Sequence, residues 1–150
     1  MTEVLALAVY GYAGLFIISF LASTVLPLGS EALLLLLINK GYEPIVVIMV
    51  ASVGNYCGAC TTYYIGLVGR KDIIEKHMVS SQQHLINAEK WFTKYGAYSL
   101  LFTWVPVIGD AITAMGGIMR LDFKTFSVFV LLGKLLRYVS VTCMALELLS

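Results

Sequence analysis

Charge is what this chain most lacks. Only 13% of its 150 residues are Asp, Glu, Lys or Arg, while 59% are hydrophobic and the mean hydropathy is +0.87. A soluble fold of this size must cover its surface with polar groups, and so few charged side chains cannot do that. An ordinary cytosolic enzyme is excluded, and lipid must replace water over much of the surface. An excess of either sign is missing too. Ten basic against nine acidic residues leave a formal net charge of +1, which removes any general argument for nucleic acid as a partner. Cysteine is scarce, and Cys57, Cys60 and Cys143 all lie inside apolar stretches, so neither a disulfide framework nor a closed zinc site follows. His77 and His84 have no carboxylate and cysteine pattern around them that would make a metal site. Hydrolase signatures and phosphate-cradling glycine loops ending in Lys-Ser or Lys-Thr are absent. The chain therefore reads as a non-enzyme that needs no metal and no cofactor.

Apolar stretches cover residues 4–38, 44–68, 97–119 and 123–147. The second and fourth are each long enough for a membrane-crossing helix of about 20 residues. The other two are interrupted alike, by a breaker and an acid, in Leu26-Pro27-Leu28-Gly29-Ser30-Glu31-Ala32 and Val105-Pro106-Val107-Ile108-Gly109-Asp110-Ala111. Superposing Glu31 on Asp110 is a shift of 79 positions, and the same shift carries Pro27 to Pro106, Ala32 to Ala111, Glu43 to Asp122 and Gly54 to Gly133. Paired broken hydrophobic segments in two halves of a chain point to a transport site.

The expected fold is an all-α integral membrane protein forming one domain over residues 1–150, with repeat 1 at 4–68, a connector at 69–96 and repeat 2 at 97–148. Each repeat would be a re-entrant helical hairpin followed by one transmembrane helix, with turns marked by Pro27 and Gly29 and by Pro106 and Gly109. Backbone broken at membrane depth survives only where protein or a watery cavity satisfies it, so both turns should face inward. The span at 44–68 carries the chain across, which inverts the second repeat relative to the first and brings the hairpin tips together near mid-bilayer.

The connector carries Arg70, Lys71, Lys76, Lys90 and Lys94, and Arg120 and Lys124 emerge on its side, against Lys40 opposite. The positive-inside rule places it in the cytoplasm as an interfacial amphipathic helix. Met1-Thr2-Glu3 lacks the positive charge of a secretory signal, so residues 4–24 read as mature structure. That segment is either one arm of the first hairpin or long enough to span fully, and the two readings put the N-terminus on opposite faces.

An ionised acid at mid-bilayer costs about 2.5–3.5 kcal/mol even on a lenient insertion scale, so Glu31 and Asp110 should not face lipid. Each can also cap the half-helix that follows it. Lys134 and Arg137, three apart on the last span and at least ten residues from either end, supply two cations to balance them in a shared polar cavity. Asn55 corresponds to Lys134 under the repeat shift and either hydrogen-bonds into that cavity or joins two helices. Gly54 with Gly58, and Gly116 with Gly117, should permit close helix approach. Cys57-Gly-Ala-Cys60 matches the C-x-x-C of thiol oxidoreductases, but electron relay needs a second thiol pair and Cys143 is single, so helix packing is the better reading.

Leu26-Pro27 through Glu31, Tyr95-Gly96, Trp104 through Asp110, and Gly133-Lys134-Leu135-Leu136-Arg137-Tyr138 together resemble the DedA family, in its YqaA-like branch. The resemblance covers nearly the whole chain. It implies a multi-pass protein of the bacterial inner membrane, related to the VTT-domain scramblases of eukaryotic autophagy, with two facing re-entrant hairpins. It also implies lipid partners, namely undecaprenyl phosphate in some members and phosphatidylethanolamine or other phospholipids in others, with proton coupling. Glu31 matches the family's hairpin acid. Where the broader family carries arginines flanking the second hairpin's proline, this chain has Thr103 and Gly109, with Asp110 following. Lys134 and Arg137 are then the cations left to meet a lipid phosphate.

The function expected is a lipid transporter or scramblase that passes headgroups through a polar mid-bilayer groove, with protonation of Glu31 or Asp110 able to switch the salt-bridge pattern. The alternative is a proton-coupled carrier of a small ion or drug, which a closed cavity without lateral opening would favour. A homodimer would bury small-residue faces that so small a chain leaves open.

Overall fold

The computed structural model describes residues 2–24, 29–69, 82–105 and 108–149, and every regular element among them is helical. In chain order these are α1 (Thr2–Ala22), α2 (Ser30–Asn39), α3 (Pro44–Leu67), α4 (Gln82–Tyr95), a 3-10 helix (Gly96–Trp104), α5 (Ile108–Ile118) and α6 (Phe123–Leu149). Pro27, Pro106, His77 and the first part of the polar connector lie outside the described residues.

Two segments, Pro44–Leu67 and Phe123–Glu147, are long and apolar enough to cross a membrane. The ten residues of α2 and the eleven of α5 are not. At 1.5 Å per residue they reach about 15–17 Å, half the hydrocarbon thickness of about 30 Å.

The corners that join each short helix to the long one after it are built alike. Gly41 and Arg120 both adopt positive φ, at 89° and 54°. Gly41 N donates to Ile38 O and Tyr42 N to Leu37 O, while Arg120 N donates to Gly117 O and Leu121 N to Gly116 O. Every one of these atoms maps onto its counterpart under the 79-residue shift read from the sequence. A left-handed residue closing a helix in this way satisfies carbonyls that the last turn would otherwise orphan.

The ends of the helices sort into two levels. Tyr63, near the C-terminal end of α3, donates to Leu121 O between α5 and α6, so these three ends lie together. At the opposite level, the end of α2 faces the C-terminal half of α6 across a cleft lined by Ile38, Asn39, Ala145 and Leu146. The two short helices therefore direct their C-termini to opposite levels and their N-termini towards the middle. One core cluster joins Tyr63, Leu100, Ile112, Met115 and Phe126, with Ala88 and Phe92 from α4. The other joins Leu15, Leu34, Leu37, Val47, Ala51 and Tyr138. The amphipathic α4 thus buries one face and leaves Lys90 and Lys94 exposed.

α1 runs beside α3 in the same direction. Tyr12 meets Tyr42 edge-on just before α3 begins, and Thr62 donates to Ser23 O near its end. Gly54 and Gly58 make that approach feasible: a Cβ at Gly54 would stand 2.6 Å from Phe16 O, and one at Gly58 would meet Phe20 O and stand 2.8 Å from Ser23 Cβ. Backbone cannot yield to such overlap without separating the helices. Gly14, with nothing within 4 Å of its would-be Cβ, is the natural control. Gly58→Ala should lower unfolding stability in detergent by about 1–3 kcal/mol. Gly14→Ala should leave the thermal midpoint unchanged or raise it, because alanine favours helix by about 1 kcal/mol.

Candidate functional site

Lys134 and Arg137 lie three residues apart near the middle of the 27-residue α6, so both side chains leave one face of that helix. Glu31 and Asp110 stand in the first turns of α2 and α5. A carboxylate there complements the partial positive charge of the helix N-terminus. The fold brings the four together as two ion pairs. Lys134 Nζ donates to Asp110 Oδ1 at 3.0 Å, with the lysine side chain fully buried and the aspartate 12% exposed. Arg137 Nη2 pairs with Glu31 Oε1, and here the carboxylate side chain is 22% exposed. One helix thus holds the N-termini of both short helices.

Two residues that the sequence reading did not single out complete the arginine side. Tyr138 OH donates to Ser30 Oγ at 3.0 Å, and Ser30 Oγ donates to Glu31 Oε2 at 3.1 Å. Tyr138 is fully buried and follows Arg137 directly. The signal available for it was its position one turn beyond Lys134 on the same helix face.

Asn55 stands apart from the ion pairs. Its Nδ2 donates to Ser19 O at 3.0 Å, which fastens α3 to α1. Its Oδ1 and the hydroxyls of Ser23 and Ser52 are buried without a hydrogen-bond partner among the described residues. Gly29 precedes α2 at φ 141°, a conformation that favours glycine, and Gly109 lies so close to Thr103 that a Cβ would come within 2.5 Å of its carbonyl oxygen. Gly117 likewise crosses the backbone of Tyr63 and Leu67. Cys57 and Cys60 are unpaired on α3, and Cys143 is exposed on α6.

A lateral groove begins about one turn away from the arginine pair. Leu35, one turn beyond Glu31, and Thr142, just over a turn beyond Arg137, begin a cleft of ≈ 410 Å³ between α2 and α6, walled further out by Ile38, Asn39, Ala145 and Leu146. Its walls are chiefly apolar, with Asn39 and Thr142 as the polar residues of the lining. The lysine pair is enclosed instead, because α5 is buried from Gly109 to Gly117 without a break.

Removing one member of a buried pair leaves a bare charge and costs about 3–5 kcal/mol, whereas replacing both by apolar residues of similar volume is often close to neutral. Asp110→Leu alone should therefore lower the thermal midpoint in detergent markedly, and Asp110→Leu with Lys134→Met should restore most of the loss. Glu31→Gln should cost less than Asp110→Leu, since the Arg137–Glu31 pair is less deeply buried than Lys134–Asp110 and the amide keeps the shape of the carboxylate.

Comparison with known proteins places the chain in a family. The VTT domain matches residues 26–146. The inner membrane protein YqaA of Escherichia coli is 36% identical over 134 residues, covering 89% of each chain. Undecaprenyl phosphate transporter A of Staphylococcus aureus is 26% identical over 136 residues, covering 83% of this chain and 67% of that protein. Its counterpart in Bacillus subtilis is 30% identical over 91 residues, or 57% and 46% of the two chains. No solved structure matches. With a VTT domain over most of its length and a YqaA protein similar across nearly all of it, the chain belongs to the DedA family of VTT-domain membrane proteins.

Proposed function

We propose that this protein moves phosphate-bearing lipids across a bacterial inner membrane, passing the headgroup over the ion pairs of α6 while the acyl chain stays in the lateral groove. The observation that carries this reading is the incomplete burial of the Arg137–Glu31 pair, whose carboxylate side chain is 22% exposed, about one turn from an apolar groove between α2 and α6. A carrier of small ions calls for an enclosed cavity; an amphiphile needs a charged inner end and an apolar side wall. Arginine is the natural ligand for a phosphate, and an incoming headgroup would compete with Glu31 for Arg137.

Undecaprenyl phosphate transporters among the relatives favour a polyprenyl phosphate or phospholipid as substrate. The matching corners and the convergent N-termini of α2 and α5 support two inverted re-entrant repeats. Exposed Lys90, Lys94, Arg120 and Lys124, against Lys40 at the other level, support a cytoplasmic connector. Leu131, Leu132 and Leu136 on the outer side of α6 offer a face for lipid or for a second copy of the chain.

The test is a liposome assay with fluorescent phospholipid in both leaflets and an impermeant reductant outside, run beside a polyprenyl phosphate version. Protein-free vesicles should lose only the outer half of the label, and wild type should lose more. Arg137→Gln should slow exchange about tenfold or more, because a hydrogen bond to a charged group contributes about 1.5–3 kcal/mol. Glu31→Gln and Asp110→Asn should slow it as well while the protein stays folded. Wild type that moves neither lipid would overturn the reading.

A further inference from the structure

The α2–α3 corner holds a second cleft that the transport route does not use. It measures ≈ 790 Å³ and lies between α1, α2 and the start of α3. Leucines of α2 form its floor, Tyr10, Tyr12 and Tyr42 stand around it, and Lys40 and Glu43 are both at its edge. Leu36 lines this cleft and the groove beside Arg137 alike, so the two are neighbours across α2.

Lys40 and Glu43 are only three residues apart and both exposed, yet they form no ion pair with each other. The equivalent corner between α5 and α6 shows what an acid at this position otherwise does. Asp122, the counterpart of Glu43, accepts a hydrogen bond from Thr125 N at 3.1 Å and one from Thr125 Oγ1 at 3.3 Å, and so caps α6. Glu43 occupies the same place before α3 and makes no capping bond. Lys40 corresponds to Met119, so the other corner has no cation there. Two corners with the same backbone hydrogen bonds thus differ in that one presents a separated cation and anion above an apolar floor, ringed by tyrosines. Tyrosine is the side chain that settles at a membrane–water boundary, apolar ring inward and hydroxyl outward.

We infer that this cleft seats a zwitterionic phospholipid with a primary ammonium headgroup, its phosphate on Lys40 and its ammonium on Glu43. The acyl chain would lie along the α2 leucines. An anionic phospholipid would satisfy Lys40 but meet repulsion from Glu43. A choline headgroup would offer Glu43 no N–H donor. The seat lies at the opposite level from the connector and next to the lateral groove, so it serves as a holding site for lipid beside the transport route. Its purpose rests on the transport reading; its existence does not, because binding is measured without flux.

The experiment is native mass spectrometry of the full chain released from detergent with phosphatidylethanolamine, phosphatidylglycerol or phosphatidylcholine added, reading the bound fraction of each. Wild type should retain phosphatidylethanolamine best. Glu43→Gln should weaken that lipid by about three- to fivefold, the effect of an exposed ion pair, and strengthen phosphatidylglycerol. Lys40→Gln should weaken both. Neither substitution touches a packed side chain, and Asp122→Asn controls for loss of the corner itself. Equal retention of the three lipids by wild type, or the same lipid order in Glu43→Gln as in wild type, would overturn the site. Correct binding in a protein that moves no lipid would leave the site standing and remove the transport reading instead.

Discussion

Two cations on one apolar helix set the terms for everything around them. Lys134 and Arg137 sit midway along α6, where neither can reach water by extending outward, so each must find an anion inside the protein. The chain supplies them from helix beginnings, where a carboxylate is held by backbone dipole as well as by its partner. That choice forces two helices to start in the middle of the structure, and hence forces two breaks in the apolar stretches. The small-residue contacts of Gly54 and Gly58 serve a separate end, the close approach of the two long helices α1 and α3.

The two pairs are alike in chemistry and unlike in setting. Lys134–Asp110 is shut in by α5, with the lysine side chain fully buried. Arg137–Glu31 keeps its carboxylate partly exposed and is backed by the Tyr138–Ser30–Glu31 chain of hydroxyls, which aims that carboxylate. α2 buries only Ser30, Leu34 and Leu37, so the half of the molecule with the open pair is also the half with less packing behind it. Moving the start of α2 therefore disturbs fewer buried contacts than moving the start of α5.

Much of this was legible in the sequence because lipid makes polar residues conspicuous. Glu31, Asp110, Lys134 and Arg137 stand out against apolar neighbours, and the 79-residue shift aligns not just residues but the hydrogen bonds of both corners. Other features left no such trace. Ser30 is an ordinary residue beside a notable one, and its bond to Tyr138 joins positions 108 residues apart. Asn55 had two readings open; its bond to Ser19 O depends on the parallel course of α1 beside α3, which apolar periodicity cannot specify. The 3-10 winding of Gly96–Trp104 was also invisible, because the same apolar residues would serve an α-helix equally well.

That winding has a consequence for reach. A 3-10 helix rises about 2.0 Å per residue against 1.5 Å for an α-helix, so nine residues cover about 18 Å instead of about 13.5 Å. The far end of this arm brings Thr103 against Gly133, next to Lys134. An α-helical arm of the same nine residues would stop roughly a turn short of that level. Stretching the backbone, instead of adding residues, is how the chain carries Thr103 to the level of the buried lysine.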